Sequence, residues 1–545
     1  MSLPENLKKI VKGEVQTDEA TLKKFSHDAS LFEVKPEVVI APRDSEDIKS
    51  LVKFAAKTPS ISLTARSGGT DMTGGPLSES IVLDFTKHFT KIKNLGNGRF
   101  SAEPGVWYRD FERETLKENY LLPSYPASRE ICAMGGIVNN NSGGEKTLKY
   151  GKTENYVASV KIALSDGNEY EITKLSKNEL KEKMGEKNFL GEIYKNLFPL
   201  FEKNDDLIKK AEPKVSKNSA GYNIWKVWDK KSGDFDLTKL IVGAQGTLGI
   251  VTETTLNLVE AKPKSGLLVI FMKNLAPLPD VVHAVLPVGP VSFESFDDNT
   301  LKLAIKFFWG FAQRLGVKNL LALGFKFLPE FFMMLTGLPK LVLLAEFEGE
   351  TQEEVDKQIK KAREKLKNLR VKTRIANTEE KAKKYWVIRH ESFNLLRQRV
   401  KGKRTAPFID DIIVRPEYLP EFLPKLTVIL EKYKNYLSFT IAGHVGDGNF
   451  HIIPLMKMAS EAEKETIFKA MDEVFDLVLK YEGSITAEHN DGLIRTPYIE
   501  KMYGKEIYSI FKEIKEIFDP QNIFNPGKKV GGDIAYAKDH IRIGV

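Results

Sequence analysis

Apolar positions in the first half of the chain come in short runs that predict alternating strands and helices. The run EVVIAPRDSEDIKSLVKFAA predicts a strand, a turn and a helix with its N-cap near Asp44 or Ser45. SIVLDF predicts another strand, and VASVKIALSDGNEYEI predicts a β-hairpin that turns at Asp166 and Gly167. Because this pattern continues to about residue 259, we expect one domain over residues 36–259, preceded by an N-terminal extension over residues 1–35.

The second half combines apolar strands with amphipathic helices. SGLLVIFM and LLAEFEGE predict strands, and TQEEVDKQIKKAREKLKNL predicts a helix with an apolar stripe and many charge pairs. A chain of 545 residues is too long for one ordinary core. We therefore expect a second domain over residues 260–500, of α+β class with an antiparallel sheet.

Residues 302–340 depart from this pattern. The segment is rich in phenylalanine and contains six lysines or arginines against one acid, Glu330. Aromatic and cationic residues together are typical of a helix that lies in a membrane interface. A helical insertion packed on its own domain explains the same composition, and both interpretations remain open.

The composition excludes several classes of protein. With 42% hydrophobic and 29% charged residues and a net charge of +8, the chain predicts a globular protein, and its lysines form no basic tail that would favour nucleic-acid binding. Cys132 is the only cysteine, which excludes an intrachain disulfide and a cluster held by four thiolates of this chain. No signal peptide or membrane-spanning run is evident, so we expect a cytoplasmic location, with residues 302–340 as a candidate contact to the inner face of the membrane.

A glycine-rich loop, ARSGGTDMTGGPL (65–77), follows a predicted strand. Consecutive small residues allow backbone N–H groups to converge on a phosphate, although tight turns use the same residues. No G-x-G-x-x-G follows a strand, and KTLKYGKT has Lys146 where a P-loop needs its first glycine. The sequence therefore argues against a Rossmann dehydrogenase and a P-loop NTPase.

Three histidines and an acid cluster late in the chain. HVGDGNFH places His444 and His451 at the ends of one octapeptide, and Glu488 and His489 follow in SITAEHNDG. Imidazoles and a carboxylate are suitable ligands for Zn²⁺, Mn²⁺ or Fe²⁺. On spacing alone, a metal site and a pair of strand-end histidines without metal both remain open.

Four segments together carry a resemblance to a known family. They are the loop at 65–77, PASREICAMGGIVNNNSGGEKTLKYGKTENYV (126–157), GAQGTLGIVTE (243–253) and IFDPQNIFNPGK (517–528). In this order they resemble flavoproteins of the vanillyl-alcohol oxidase superfamily, in the branch of the D-2-hydroxy acid dehydrogenases. The resemblance implies a two-part PCMH-type FAD-binding domain over residues 36–259, a C-terminal cap domain over 260–500, and a segment over 501–545 that returns to the first domain.

The resemblance also implies which residues contact FAD. Relatives with covalent FAD usually have a histidine after the Gly-Gly of the first loop, whereas this chain has Thr70, so we expect non-covalent FAD. The implied contacts are Gly68, Gly69, Thr70, Gly74, Gly75, Pro126, Ser128, Gly135, Gly136, Asn140, Ser142, Gly143, Ile250 and Asn525.

For the chemistry, the resemblance implies that His444, His451 and Glu488 bind a divalent metal and that His489 is the catalytic base. Many relatives have glycine where this chain has Asn490, and a side chain there is expected to narrow the pocket or shift the loop. Arg389 resembles the arginine that precedes a substrate-facing helix, although a surface arginine in a helix explains it equally well.

The function so implied is metal-assisted oxidation of a small D-2-hydroxy acid, D-lactate-like or glycolate-like, to the 2-oxo acid, with hydride transfer to flavin N5. Because one cysteine cannot hold an iron–sulfur cluster, we expect electrons to pass to a quinone, an iron–sulfur subunit or an electron-transfer flavoprotein. The alternatives are a flavin-binding electron-transfer subunit of a larger complex and an oxidase of the same superfamily with another substrate.

Overall fold

The computed structural model describes residues 2–298, 300–301, 337–378, 381–383, 385–389 and 403–543. The chain forms two compact units. The first unit contains Met1–Gly144, Gly151–Ala261 and Ser484–Arg542, and the second contains Glu145–Tyr150, Lys262–Gly483 and Ile543–Val545. The first unit thus resumes at Ser484, whereas the return predicted from the sequence is at residue 501.

The first unit begins with a four-stranded sheet. Its strands are β1 (Glu14–Gln16), β2 (Val38–Ala41), β3 (Leu63–Arg66) and β4 (Ile81–Asp84), in the order β1-β2-β4-β3. β2, β4 and β3 are parallel, and their apolar residues are buried as expected for a sheet covered on both faces. The helix Ser45–Lys57 covers this sheet, and the Asp44 carboxylate accepts the backbone N–H groups of Glu46 and Asp47, which confirms the predicted N-cap.

The first unit also contains a six-stranded sheet and a two-stranded sheet. The order of the six-stranded sheet is β10-β9-β8-β11-β6-β5. The strands are β5 (Ile92–Gly96), β6 (Arg99–Ala102), β8 (Val157–Ala163), β9 (Glu169–Leu175), β10 (Phe235–Asp236) and β11 (Ile250–Asn257), and β7 (Tyr120–Leu121) pairs with β12 (Val259–Glu260). The turn between β8 and β9 contains Gly167 at φ 74°, which confirms the predicted hairpin.

The first unit also contains helices between and beyond these strands in the sequence. They are Leu3–Ile10, Glu19–Phe25, Ser45–Lys57, Tyr108–Leu116, Met134–Asn139, Lys177–Met184, Phe189–Ala211, Thr238–Ile241, Gly492–Arg495, Ile499–Phe518 and Ile534–Asp539, with 3₁₀ turns at Thr153–Asn155, Ile224–Lys226 and Thr496–Tyr498.

The second unit is built on one antiparallel sheet, as predicted. Its order is β16-β13-β15-β14-β19-β20-β17, and β18 also pairs with β20. The strands are β13 (Lys264–Met272), β14 (Ser292–Asp297), β15 (Leu341–Gly349), β16 (Lys372–Ala376), β17 (Arg404–Thr405), β18 (Ile412–Ile413), β19 (Leu437–His444) and β20 (Asn449–Met456).

The helices of the second unit include the amphipathic helix predicted from sequence. Among the described residues of this unit they are Thr147–Tyr150, Leu278–Val285, Gln352–Lys365, Leu419–Lys432 and Glu461–Lys480, with 3₁₀ turns at Leu286–Val288 and Pro416–Tyr418. Gln352–Lys365 starts with a capping box between Thr351 and Glu354 and buries Val355, Ile359 and Ala362.

Most of the basic aromatic segment lies outside the described residues, which resume at Gly337. Membrane contact and packing on their own domain therefore both remain predictions for residues 302–340. Within the described ranges, no helix combines the length and the apolar character needed to cross a membrane.

Candidate functional site

The predicted glycine loop directly follows β3 at the end of the parallel sheet. Gly69 (φ 66°) and Gly74 (φ 82°) adopt left-handed backbone conformations that glycine accommodates without strain. Asp71 folds the loop back on itself, because its Oδ1 accepts the N–H groups of Thr73 (2.6 Å) and Gly75 (3.1 Å). At Gly68, a Cβ atom would lie 2.8 Å from the carbonyl oxygen of Ile131, so the close approach of the 126–136 segment requires glycine.

Asn525 ties this loop to a second segment. Its Nδ2 donates to the carbonyl oxygens of Gly75 (2.9 Å) and Gln245 (2.7 Å), and its Oδ1 accepts from the Thr64 hydroxyl (3.1 Å). The side chain is 2% exposed. Asn525 therefore supports the loop through contacts with the protein, a role that the resemblance did not specify.

The 134–143 segment lies against the 243–249 segment. Backbone hydrogen bonds join Gly243 N to Val138 O (3.0 Å) and Gln245 N to Asn139 O (2.8 Å). The loops predicted to bind one cofactor are thus interlocked by main-chain contacts within the first unit.

The surroundings of these loops suit a large polar ligand such as FAD. Asn140 Oδ1 and Gln245 Nε2 are buried and have no hydrogen-bond partner among the described residues. Such atoms are rare in folded proteins unless a ligand or water completes their bonds. At Gly136, a Cβ atom would meet nothing within 4 Å, so there is open space beside this glycine.

All of the predicted FAD contacts belong to the first unit. Gly135 reaches the first loop, since a Cβ atom there would lie 2.6 Å from Ser67 Oγ. Ser142 is buried, and Ile250 packs in the apolar core around β2, β3 and β4. Ser128 accepts backbone N–H groups from Ile131 and Cys132 through its carbonyl oxygen.

Burial shifts the pKa values of charged groups near the first loop. Burial, together with the charge of Asp71, raises the pKa of Asp28 to about 7. Burial lowers the pKa of Lys528 to about 8, and its ammonium group donates to the Leu77 carbonyl oxygen at 2.7 Å. Both groups therefore titrate near neutral pH.

The loop with Glu488 and His489 also belongs to the first unit. The backbone of Asn490 adopts φ 69°, a conformation that glycine and asparagine tolerate best. Its Nδ2 donates to the Gly243 carbonyl oxygen (2.9 Å), and its carbonyl oxygen accepts from Arg495 Nη1 (3.1 Å). The amide of Asn490 thus fastens the loop to the 243–249 segment, so asparagine replaces glycine here without a backbone misfit.

Glu488 forms a buried ion pair that the sequence analysis missed. Its Oε1 lies 2.6 Å from Lys217 Nζ, and the two side chains are 5% and 2% exposed. His489 is half-buried. Buried acids usually have a charged or hydrogen-bonding partner, so a partner for a buried Glu488 is expected. The structure identifies this partner as Lys217.

In the second unit, the octapeptide forms a tight hairpin. His444 ends β19 and His451 lies on β20, where it pairs with Ala442. The two imidazole rings have centroids 5.0 Å apart at an angle of 85°, and each ring offers a nitrogen within 4.8 Å of one on the other. The hairpin therefore places two nitrogen ligands close enough to share one cation.

Each of these imidazoles is engaged at Nδ1. His444 Nδ1 lies 2.5 Å from Glu294 Oε1, and His451 Nδ1 lies 2.9 Å from the Asp410 carbonyl oxygen. Metal-binding histidines commonly donate one ring N–H to a carboxylate or a carbonyl and bind the ion through the other nitrogen. This arrangement suits a divalent cation at the two Nε2 atoms. Asp411 adds a buried carboxylate oxygen within 4.8 Å of a His451 nitrogen.

Arg389 lies in a helical stretch, residues 385–389, and binds the same Glu294. Its Nη2 and Nε lie 3.0 and 3.1 Å from Glu294 Oε2. The arginine side chain is 16% exposed, which argues against a simple surface arginine. Sequence reasoning missed Glu294, although an acid in the apolar strand VSFESFD was a signal for it.

Two family models match this chain. Residues 36–173 match the family model of the FAD binding domain, and residues 267–529 match that of the FAD linked oxidases, C-terminal domain. D-2-hydroxyglutarate dehydrogenase of Escherichia coli (strain K12) is 26% identical over 95% of this chain and 50% of its own length. The chain thus spans about half the length of the first curated relatives that it matches.

Two further relatives match over nearly their full length. Glycolate oxidase subunit GlcD of Bacillus subtilis (strain 168) is 28% identical over 93% of this chain and 92% of its own. D-lactate dehydrogenase of Anaerostipes hadrus is 27% identical over 96% of both chains.

Solved structures confirm the predicted PCMH-type fold. 4-Ethylphenol oxidase from Gulosibacter chungangensis superposes with a TM-score of 0.68 over 98% of this chain and 97% of its own, at 16% identity. p-Cresol methylhydroxylase superposes with a TM-score of 0.67 over 97% of this chain and 96% of its own, at 17% identity.

Proposed function

The chain belongs to the FAD-linked oxidases, and we propose that it oxidises a small D-2-hydroxy acid to the corresponding 2-oxo acid. The observation that carries this proposal is the hairpin in which His444 and His451 are both held at Nδ1, because it provides ligands for a cation that would activate a hydroxyl group.

We propose that the first unit holds FAD without a covalent bond. The pyrophosphate would contact the backbone N–H groups of the loop at Gly68, Gly69 and Thr70, as in other glycine-rich anion sites. The buried amide of Asn140 would contribute a polar contact to the flavin. Thr70 offers no imidazole for a covalent link.

We propose His444, His451 and Glu488 as ligands of a divalent metal, Zn²⁺, Mn²⁺ or Fe²⁺. When bound, the metal would lower the pKa of the substrate hydroxyl group, and FAD would accept the hydride from the substrate Cα. His489 would remove the hydroxyl proton, a role suited to an imidazole near neutral pH. The Arg389 guanidinium would bind the substrate carboxylate.

Several finer parts of the proposal rest on the relatives. Those named above are linked by name to D-2-hydroxyglutarate, glycolate and D-lactate, which supports the substrate class. We propose a D-lactate-like or glycolate-like substrate, and a quinone, an iron–sulfur subunit or an electron-transfer flavoprotein as acceptor. From the sequence alone we propose a cytoplasmic location, in which residues 302–340 either contact the inner face of the membrane or pack on their own domain.

The decisive test is anaerobic reduction of the purified yellow protein. A panel of D- and L-2-hydroxy acids is added, and bleaching of the flavin absorbance is followed while the metal content is measured by elemental analysis. We expect rapid bleaching by D-2-hydroxy acids and about one metal ion per chain.

His489→Ala should abolish this bleaching while FAD remains bound. His540→Ala is a matched control, because His540 is also half-buried in the first unit and contacts Tyr536 and Glu79. Unchanged flavin reduction in His489→Ala would contradict the proposed base. Flavin binding without reduction by any of the acids, in the unmodified protein, would favour an electron-transfer subunit or an oxidase with another substrate.

A further inference from the structure

Glu294 is a charged residue in the centre of the second unit. It lies in β14, where its apolar neighbours Phe293 and Phe296 are buried, and its own side chain is 2% exposed. A carboxylate removed from water to this degree is costly unless charged or hydrogen-bonding groups surround it. The residues that contact the Glu294 carboxylate therefore indicate its role.

The two oxygens of Glu294 contact two different residues. Oε1 lies 2.5 Å from His444 Nδ1, and Oε2 lies 3.0 and 3.1 Å from Arg389 Nη2 and Nε. The sheet produces the first contact, because the register that pairs Ser295 with Gly443 places Glu294 beside His444. One side chain thus connects a proposed metal ligand with the proposed substrate-binding arginine.

We propose that Glu294 is a positioning residue that orients both His444 and Arg389, so that metal affinity and substrate affinity depend on the same carboxylate. This inference rests on the proposed function. By accepting from Nδ1, Glu294 sets the tautomer in which His444 Nε2 carries the lone pair that a metal needs. By binding the Nε and Nη2 side of Arg389, it also fixes the direction of the guanidinium plane.

The two contacts require two acceptor oxygens. A glutamine at position 294 has one acceptor oxygen and one donor NH₂ group, so it can serve His444 or Arg389 but would direct a donor at the other. Loss of such an outer contact typically lowers metal affinity about 10–100-fold. We expect Glu294→Gln to show a loss in this range together with an increased KM for the 2-hydroxy acid.

The test uses the FAD-loaded protein after removal of metal by chelation. Co²⁺ is titrated in and followed by its visible absorbance, which reports ligation without turnover, and KM and kcat are then measured in the Co²⁺-loaded enzyme. Asp297→Asn is the matched control. Asp297 lies on the same strand and accepts N–H groups from Thr300 and Ile441, so it is a carboxylate of β14 without the contacts of Glu294.

Glu294→Gln should bind Co²⁺ at least about tenfold more weakly, and Asp297→Asn should stay within about threefold of the unmodified protein. Arg389→Met should increase KM but leave the Co²⁺ affinity within about threefold, because it removes the substrate contact and the ion pair with Glu294 Oε2 but leaves the contact between Glu294 Oε1 and His444. A purely structural role of Glu294 would instead lower thermal stability and FAD retention without a selective loss of Co²⁺ affinity.

The outcomes separate this inference from the proposed function. If the unmodified protein binds no Co²⁺, the metal site itself is refuted. If it binds Co²⁺ and Glu294→Gln binds equally well, the metal site stands and the positioning role is refuted. Should Glu294→Gln fail to retain FAD, Glu294→Asp provides the same readout, since its shorter carboxylate keeps the charge but cannot reach both partners.

Discussion

Replacing Asn525 with alanine tests how the glycine loop is held. The Asn525 side chain donates to the Gly75 and Gln245 carbonyl oxygens and accepts from the Thr64 hydroxyl, at 2.9, 2.7 and 3.1 Å. All three bonds are buried, and they join segments that are far apart in the sequence. Alanine removes the three bonds at once.

The expected cost follows from these contacts. A buried hydrogen bond contributes about 1 kcal/mol net, and a partner left without its bond costs about 1–3 kcal/mol, so the three together amount to about 3–9 kcal/mol. Asn525 also adopts φ 41°, and alanine in this left-handed region costs about 1–2 kcal/mol more. The loop would lose much of the order that FAD binding requires.

Asn522→Ala separates the hydrogen bonds from the backbone effect. Asn522 is exposed and adopts φ 52°, so its replacement carries a similar backbone cost without the buried bonds. We expect the FAD dissociation constant of Asn525→Ala, measured by fluorescence titration of the apoprotein, to increase about 10–100-fold, which corresponds to about 1.4–2.8 kcal/mol. The constant of Asn522→Ala should stay within about threefold of the unmodified protein. Equal FAD affinities and equal thermal midpoints in the two variants would refute the reasoning.

Three further predictions concern other parts of the chain. Burial raises the pKa of the Cys132 thiol to about 12, so only about one part in 10⁴ is thiolate at pH 8, and mass spectrometry should find Cys132 unalkylated by iodoacetamide unless the protein is unfolded. Folding raises the pKa of Asp28 to about 7, so the folded protein is stabilised while Asp28 is protonated and loses this stability as pH rises from about 4 to 7. Asp28→Asn should therefore increase the melting temperature more at pH 8 than at pH 5. A difference that does not depend on pH would contradict this. Deletion of residues 305–337 should lower the share of protein in the membrane fraction, and an unaltered distribution would favour the insertion packed on its own domain.

Local sequence patterns were enough to predict many of the helices, strands and turns. The hairpin at Asp166 and Gly167, the helix Gln352–Lys365 and the glycine loop after β3 all appear where the pattern predicts them. Each depends on interactions within a few residues, such as a cap, a turn or an apolar stripe, and these are readable in order along the chain. The motifs were also sufficient to indicate the family and its FAD cofactor.

The side chains that support the site come together only when the chain folds. Glu294 contacts His444, which is 150 residues away in the sequence, and Arg389, which is 95 residues away. Asn525 contacts the glycine loop at Gly75, which is 450 residues away. The side chain of Asn490, which is expected to narrow the pocket or shift the loop, donates to the Gly243 carbonyl oxygen, 247 residues away in the sequence. The partner of a buried charge or amide depends on strand register and chain topology, which bring together positions whose separation along the chain carries no information about their distance in space.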